Sequence, residues 1–220
     1  MIRIHFVTIF PEMMRGLIDS PPFTWAKRSG NADFFVHNVR DFAIDKHGTI
    51  DSRPYGGGDG MVMRPEPLRD AILSIGAIGE RKVLVTSPRG KLWNRDSAHR
   101  LSSFSGDLIF ICGRFAGIDQ RFIEKYVDEE ISIGNFVVSG GELPVALICD
   151  SLLRFVPGVL GNSESHRMDS FEPELKGGVE APLYSRPKVF EGSEVPEVLT
   201  SGNHDKVRAW KDTRTLVVDK

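Results

Sequence analysis

Five short runs of β-branched and aromatic residues, separated by helical patterns, constrain the fold of this chain more than any other feature. The runs are residues 2–9, 34–39, 82–87, 107–112 and 131–138; helical patterns lie at about 11–19, 65–75, 94–104, 117–127 and 144–155. Parallel strands cannot be joined by tight turns, so strands alternating with helices imply βαβ crossovers. The expected fold class is therefore α/β, one parallel sheet flanked by helices. Ligands of such sheets bind beyond the C-terminal ends of the strands. Three of those ends carry turn residues: Ser87-Pro88-Arg89-Gly90, Gly113-Arg114-Phe115-Ala116-Gly117 and Ser139-Gly140-Gly141. Three loops from three strands could meet at one ligand.

The stretch ISIGNFVVSGGELP, residues 131–144, has the plan of a cradle: an apolar strand, a glycine turn and a helix opened by Pro144. Glycines let backbone approach a ligand, and proline suits a first helical turn. A tight connection with no ligand explains the same residues. Familiar nucleotide signatures do not decide between them. No G-x-G-x-x-G follows an early strand, and Gly90-Lys91-Leu92 lacks the hydroxyl of a phosphate loop. No G-x-S-x-G elbow occurs, and the histidines show no metal-ligand spacing, so no metal site is expected.

At 220 residues the chain can hold one sizeable core and a smaller second unit. No run is long and apolar enough to span a bilayer, and MIRIHFVTIF lacks the organisation of a cleavable signal. No membrane partner is expected. Cys112 and Cys149 sit in apolar runs and read as buried reduced thiols, which fits a cytoplasmic location. A net charge of −2 leaves a nucleic-acid partner open, since a local basic patch suffices to hold RNA.

Residues 45–64 interrupt the alternation with a glycine-rich loop, Gly56-Gly57-Gly58-Asp59-Gly60, flanked by Arg53, Tyr55 and Arg64. It is either a surface insertion or a loop that packs against a large partner. After about Phe155 a Pro-, Gly- and Ser-containing stretch reads as a flexible linker over 161–170. It ends in Asp169-Ser170-Phe171-Glu172, which has the form of a capping box. A small unit over 171–220 follows, with a helical pattern near 203–212 whose His204, Lys206, Arg208 and Lys211 form a basic side.

Seven motifs occur in order: FPEM at 10–13, RPYGGGDGM at 53–61, CGRFAGID at 112–119, SIGNFVVSGGELP at 132–144, RFVPGVLG at 154–161, DSF at 169–171 and SGNH at 201–204. With them the chain resembles, over nearly its whole length, the bacterial tRNA (guanine-N1)-methyltransferases of the TrmD type, in the SPOUT class. The resemblance implies a deep trefoil knot in the C-terminal part of an S-adenosyl-L-methionine-binding domain over 1–160. It also implies a small, mainly helical tRNA-binding domain over 171–220. The enzyme is then an obligate homodimer with its active sites at the interface, acting on N1 of guanosine 37, the nucleoside 3′ of the anticodon. A Mg²⁺ requirement is left open.

The chemistry can be weighed separately. Guanine N1 carries a proton at neutral pH, so a carboxylate against it can act as general base. Charge then grows on O6, where a guanidinium is stabilising. By resemblance, Asp169 is the base and Arg154 the cation; capping and a surface charge are their plain structural alternatives. The cofactor positions carried over are Ser87, Pro88, Gly113, Ile133, Gly134, Asn135, Phe136, Val137, Val138, Gly140, Gly141 and Pro144. Those for tRNA are Arg53, Tyr55, Gly58, Arg114, Ser201, Asn203 and His204. The chain departs from the family at Ala116, where an acid is usual, and at Phe115 and Phe136, where tyrosines are usual. Two rivals remain: a knotted RNA-binding protein without catalysis, and an enzyme acting on a free nucleotide.

Overall fold

The structure, a computed structural model, describes residues 1–76, 79–160 and 169–216. The chain divides into two compact units, Met1–Gly161 and Asn162–Lys220. The first unit is built on five parallel strands: β1 (Ile2–Thr8), β2 (Ala32–Asn38), β5 (Glu80–Leu92), β6 (Gly106–Ile111) and β7 (Glu129–Ser132). Their order across the sheet is β2-β1-β6-β5-β7. The helices are α1 (Pro11–Ile18), α2 (Phe23–Arg28), α3 (Pro65–Ser74), α4 (Arg95–Ser102), α5 (Gln120–Tyr126) and α6 (Glu142–Leu153). A two-residue ladder pairs β3 (Asp51–Ser52) with β4 (Val62–Met63) beside the glycine-rich loop.

The period-2 alternation of a strand divides the core into two layers. Ile2, Ile4 and Phe6 of β1, with Leu108 and Phe110 of β6, pack against α1, α2, α4 and α6. Val7, Ile109 and Ile111 face the other way, onto α3 and α5 through Leu68, Ile72 and Phe122. The central β6 is buried at every residue, as a strand covered on both faces must be. The expected α/β class with helices on both faces is therefore what the chain adopts. Among the described residues no helix is long and apolar enough to cross a membrane.

Two expectations for the first unit need correction. The run 131–138 is not one strand: β7 ends at Ser132, and Gly134, at φ +145°, turns the chain out of the sheet. Phe136, Val137 and Val138 are exposed, although their apolar, β-branched character mimics a buried strand. The second concerns Ser87–Gly90, which does not end a strand. It is a bulge within β5, whose pairing with β7 shifts between Thr86 and Lys91 and then resumes through Leu92.

The second unit carries a 3₁₀ turn at Pro173–Leu175, a hairpin of β8 (Val189–Phe190) with β9 (Ser193–Glu194), and the helices α7 (Glu197–Thr200) and α8 (His204–Arg214). Val179 and Leu216 exchange backbone hydrogen bonds of 2.8 and 3.0 Å, which ties its ends together. The capping box at 169–172 is overturned. No helix starts there: Glu172 N–H donates to the Asp169 carbonyl at 3.3 Å in a turn, and Phe171 takes φ +71°. Most of the expected linker, 161–168, lies outside the described residues.

Candidate active site

A cavity of about 450 Å³ opens at the β5 bulge and the C-terminal ends of β6 and β7. Its walls are the β5 bulge, the loop after β6, the 133–141 segment and the first turn of α6. The three loops expected to meet do meet. Of the twelve positions named for a cofactor, eleven line this one cavity: Ser87, Pro88, Gly113, Ile133, Gly134, Phe136, Val137, Val138, Gly140, Gly141 and Pro144. Asn135 does not; it lies exposed on the turn between them.

Close backbone packing forms the cavity's base. A Cβ on Gly141 would stand 2.7 Å from Gly113 N, 2.8 Å from Cys112 Cα and 2.9 Å from Thr86 Oγ1. Only glycine lets the 139–141 segment lie directly on the end of β6. The Gly141 N–H is consumed in that contact, donating to the Gly113 carbonyl at 2.8 Å, so it is not available to a ligand. Helix α6 begins at Glu142, two residues before Pro144, which remains within the first turn where its missing N–H has no helical partner.

The cavity is lined mostly by glycine backbone and apolar side chains. Its ionisable lining residues are Arg89, Arg114 and Glu130. Phe115, Phe136 and Val138 offer partly exposed apolar surface. The Thr86 hydroxyl in the wall is buried with no hydrogen-bond partner among the described residues, a polar atom that a ligand or water could satisfy. Exposed backbone, apolar faces and one orphaned hydroxyl fit the adenosyl part of the cofactor that the resemblance implies.

Arg114, named for tRNA, also lines this cavity, and its guanidinium is already engaged. Nε donates to Glu142 Oε2 at 2.7 Å, Nη1 to the Ser139 carbonyl at 3.3 Å, and the group lies 4.4 Å from the Phe10 ring centroid. Glu142 was not among the sequence candidates. An acid in the first turn of a helix ordinarily faces solvent and complements the helix dipole; only the fold reveals that this one is buried.

None of the remaining candidates is among the residues that line the cavity. Arg53, Tyr55 and Gly58 sit exposed on the glycine-rich loop, away from the cavity lining. The loop is nevertheless tied to the rim: Ala116 N–H donates to the Met61 carbonyl at 2.8 Å, and Met63 N–H to Gly117 at 2.9 Å. Ala116 comes within 3.3 Å of where a Gly60 Cβ would stand. A larger acid at that position would need room which the loop fills here. Arg154 is the exposed C-cap of α6, a helix of 12 residues with the cavity at its other end, so about 18 Å separates the two. Its neighbour Phe155 is held between Arg95, 5.2 Å from the ring centroid, and His99, whose ring centroid is 5.5 Å away. In the second unit, Asn203 Oδ1 accepts from Lys206 N–H at 3.0 Å and caps α8. Ser201 Oγ donates to the Val198 carbonyl at 2.7 Å, while His204 opens α8 exposed. Asp169 belongs to this unit and is partly buried.

Burial pushes the thiols of Cys112 and Cys149 up, so neither is a ready nucleophile. Among the described residues no cluster of three or more His, Cys, Asp or Glu side chains is arranged to hold a metal ion.

The whole chain also matches known proteins. Residues 2–218 match the model of the family described as tRNA (Guanine-1)-methyltransferase TrmD. A protein of Dictyoglomus turgidum named tRNA (guanine-N(1)-)-methyltransferase is 45% identical over 98% of this chain and 86% of its own length. Proteins of the same name from Aliivibrio salmonicida and Clostridioides difficile are 45% and 40% identical, over 97% and 100% of this chain and 85% and 94% of their own. Motif order, sheet and full-length match agree, and the chain belongs to the TrmD family of tRNA (guanine-1)-methyltransferases.

Proposed function

We propose that this chain is a tRNA (guanine-N1)-methyltransferase that moves a methyl group from S-adenosyl-L-methionine to N1 of guanosine 37. The observation that carries the reading is the single cavity lined by eleven of the twelve cofactor positions. Bound there, the cofactor supplies an electrophilic methyl group on a sulfonium. Phe115, Phe136 and Val138 cover its apolar faces, and the Thr86 hydroxyl meets a polar edge. Asp169 takes the N1 proton of the guanine, which turns a poor nucleophile into a good one. Arg154 stabilises the charge that then develops on O6. Arg53 and Tyr55 on the glycine-rich loop, and the basic face of α8, hold the tRNA by charge and stacking.

The site is shared between two copies of the chain. Support comes from α6, whose exposed stripe reads Leu143, Leu147, Asp150 and Arg154. Phe10 and Met13 are exposed apolar side chains as well. Two-fold pairing sets equivalent helices antiparallel when they cross the axis. Arg154 of the partner subunit then approaches the cavity end of α6, closing the gap of about 18 Å within one chain. The proposed fold includes a trefoil knot, a reading with which the close layering of 139–141 on 112–113 is compatible. The setting is cytoplasmic, where tRNA is modified.

Mixing two inactive variants tests the shared site. Gly141→Val disables the cofactor cavity of one chain, and Asp169→Ala removes the base that the other chain brings to it. Random re-association restores about a quarter of wild-type methyl transfer if each site draws on both chains. No recovery, with heterodimers formed, would refute the shared arrangement.

A further inference from the structure

Beneath the cavity rim lies a buried polar relay that the proposed chemistry does not use. Thr8, at the end of β1, donates its hydroxyl to Glu142 Oε1 at 2.7 Å. The other oxygen, Oε2, accepts from Arg114 Nε at 2.7 Å. Glu142 is 1% exposed and Thr8 is fully buried. One carboxylate thus joins the end of β1, the loop after β6 and the start of α6. From there Arg114 reaches the Ser139 carbonyl at 3.3 Å, the Met13 sulfur at 3.7 Å and the Phe10 ring. A Cβ on Gly140 would stand 2.1 Å from Arg114 Nε, so the guanidinium lies flat on the backbone of the cavity wall.

We infer that Glu142 is a positioning residue for the methyl-transfer site: it holds Arg114 against Ser139 and Gly140, and so sets the cavity wall before the cofactor arrives. The inference rests on reading the cavity as the S-adenosylmethionine site. Arg114 offers donors in a planar fork, and with Nε committed to Glu142 the other nitrogens have fixed directions. Charge-assisted bonds shielded from water are stronger than exposed ones. The Glu142 carboxylate is not part of the cavity lining; it bonds Thr8 and Arg114, and of these two it is Arg114 that lines the wall next to Gly140. The energy of the relay belongs to preorganisation of the wall, which lowers the ordering cost of binding. Its loss weakens cofactor affinity, while the chemical step at saturating cofactor is little changed.

The test titrates S-adenosylhomocysteine into the full-length protein by calorimetry, alongside steady-state methyl transfer. Glu142→Gln keeps the volume but turns an amide N–H toward the guanidinium or leaves one acceptor fewer. Expected is a tenfold or greater loss of affinity and a matching rise in KM for S-adenosylmethionine, with kcat within about threefold of wild type. Thr8→Val, which removes one donor and leaves the ion pair, gives a smaller loss and serves should the first variant fail to fold. The Arg114 Nε–H resonance, slowly exchanging in the wild type, broadens into solvent exchange in Glu142→Gln. Arg114→Met and the double variant weaken binding by the same factor, since both act through one contact. Unchanged affinity in the folded variants, or a collapse of kcat at constant KM, would overturn the positioning role alone. If the wild type itself fails to bind the titrant, the reading of the cavity falls, and this inference with it.

Discussion

Replacing Gly141 by alanine adds one methyl group where three backbone segments meet. The backbone there has φ −76° and ψ −13°, ordinary helical values, so alanine meets no conformational penalty. The difficulty is space alone. The new Cβ would sit 2.7, 2.8 and 2.9 Å from Gly113 N, Cys112 Cα and Thr86 Oγ1, two of which are main-chain atoms that cannot rotate away. Relief requires the 139–141 segment to lift from β6. Overpacking of this kind costs about 1–3 kcal/mol, and loosening the Gly141–Gly113 hydrogen bond adds about 1 kcal/mol. Alanine's smaller unfolded-state entropy returns up to about 1 kcal/mol, which leaves a net loss of about 1–4 kcal/mol. Urea denaturation reads this as a lower midpoint at unchanged slope. Because the moved segment is a cavity wall, affinity for S-adenosylmethionine falls at least tenfold in the same variant. Gly16→Ala is the control: it lies in α1 with open space around it, and alanine there stabilises by up to about 1 kcal/mol. If Gly141→Ala proves as stable as the wild type and binds cofactor equally, the close-packed base of the cavity is refuted.

Three further outcomes are expected. Burial, and then the neighbouring His5, hold His37 at about 4, below the ordinary histidine value of 6.5. The folded form resists the proton that the unfolded chain accepts, so stability is full above pH 6.5 and falls as pH drops toward 4. The shift alone would amount to about 3 kcal/mol, reduced to roughly 1–2 by the ring's partial exposure. Denaturation midpoints across that window should slope, and His37→Phe should flatten them; an unchanged slope would contradict the assignment. Phe110, fully buried in the central strand, should cost about 3–5 kcal/mol as Phe110→Ala, read by thermal unfolding. Asn203→Ala removes the cap of α8 and should destabilise by about 1 kcal/mol in a urea titration while S-adenosylmethionine affinity stays unchanged.

The sheet was legible because burial on both faces forces apolar runs: Ile2, Ile4, Phe6 and Val7 in β1, Val83–Val85 in β5 and Leu108–Ile111 in β6. The same rule misled at 133–138, where Phe136, Val137 and Val138 are apolar because they wall a cavity, not because they pair in a sheet. Periodicity cannot distinguish those two reasons. The bulge in β5 was also hidden, since Ser-Pro-Arg-Gly looks like a strand's end whether or not the strand resumes. At the cavity, the glycines were visible as a motif, but their physical necessity comes from distances to Gly113 and Arg114 that no sequence displays. Glu142 was missed for a related reason. Its burial depends on Thr8, 134 positions earlier in the chain, and on Arg114, 28 earlier. Asp169 carried a local signal, a capping box, which the chain does not use for a helix.

The central claim is best tested by following labelled methyl from S-adenosylmethionine to unmodified tRNA bearing guanosine 37, in the wild type and in Asp169→Ala. The product is mapped to its base and ring nitrogen. Label is expected at N1 of that guanosine in the wild type and nowhere in the variant, with cofactor affinity equal in both. Wild-type protein that binds cofactor and tRNA yet transfers no methyl, or a variant that transfers it at the full rate, would contradict it.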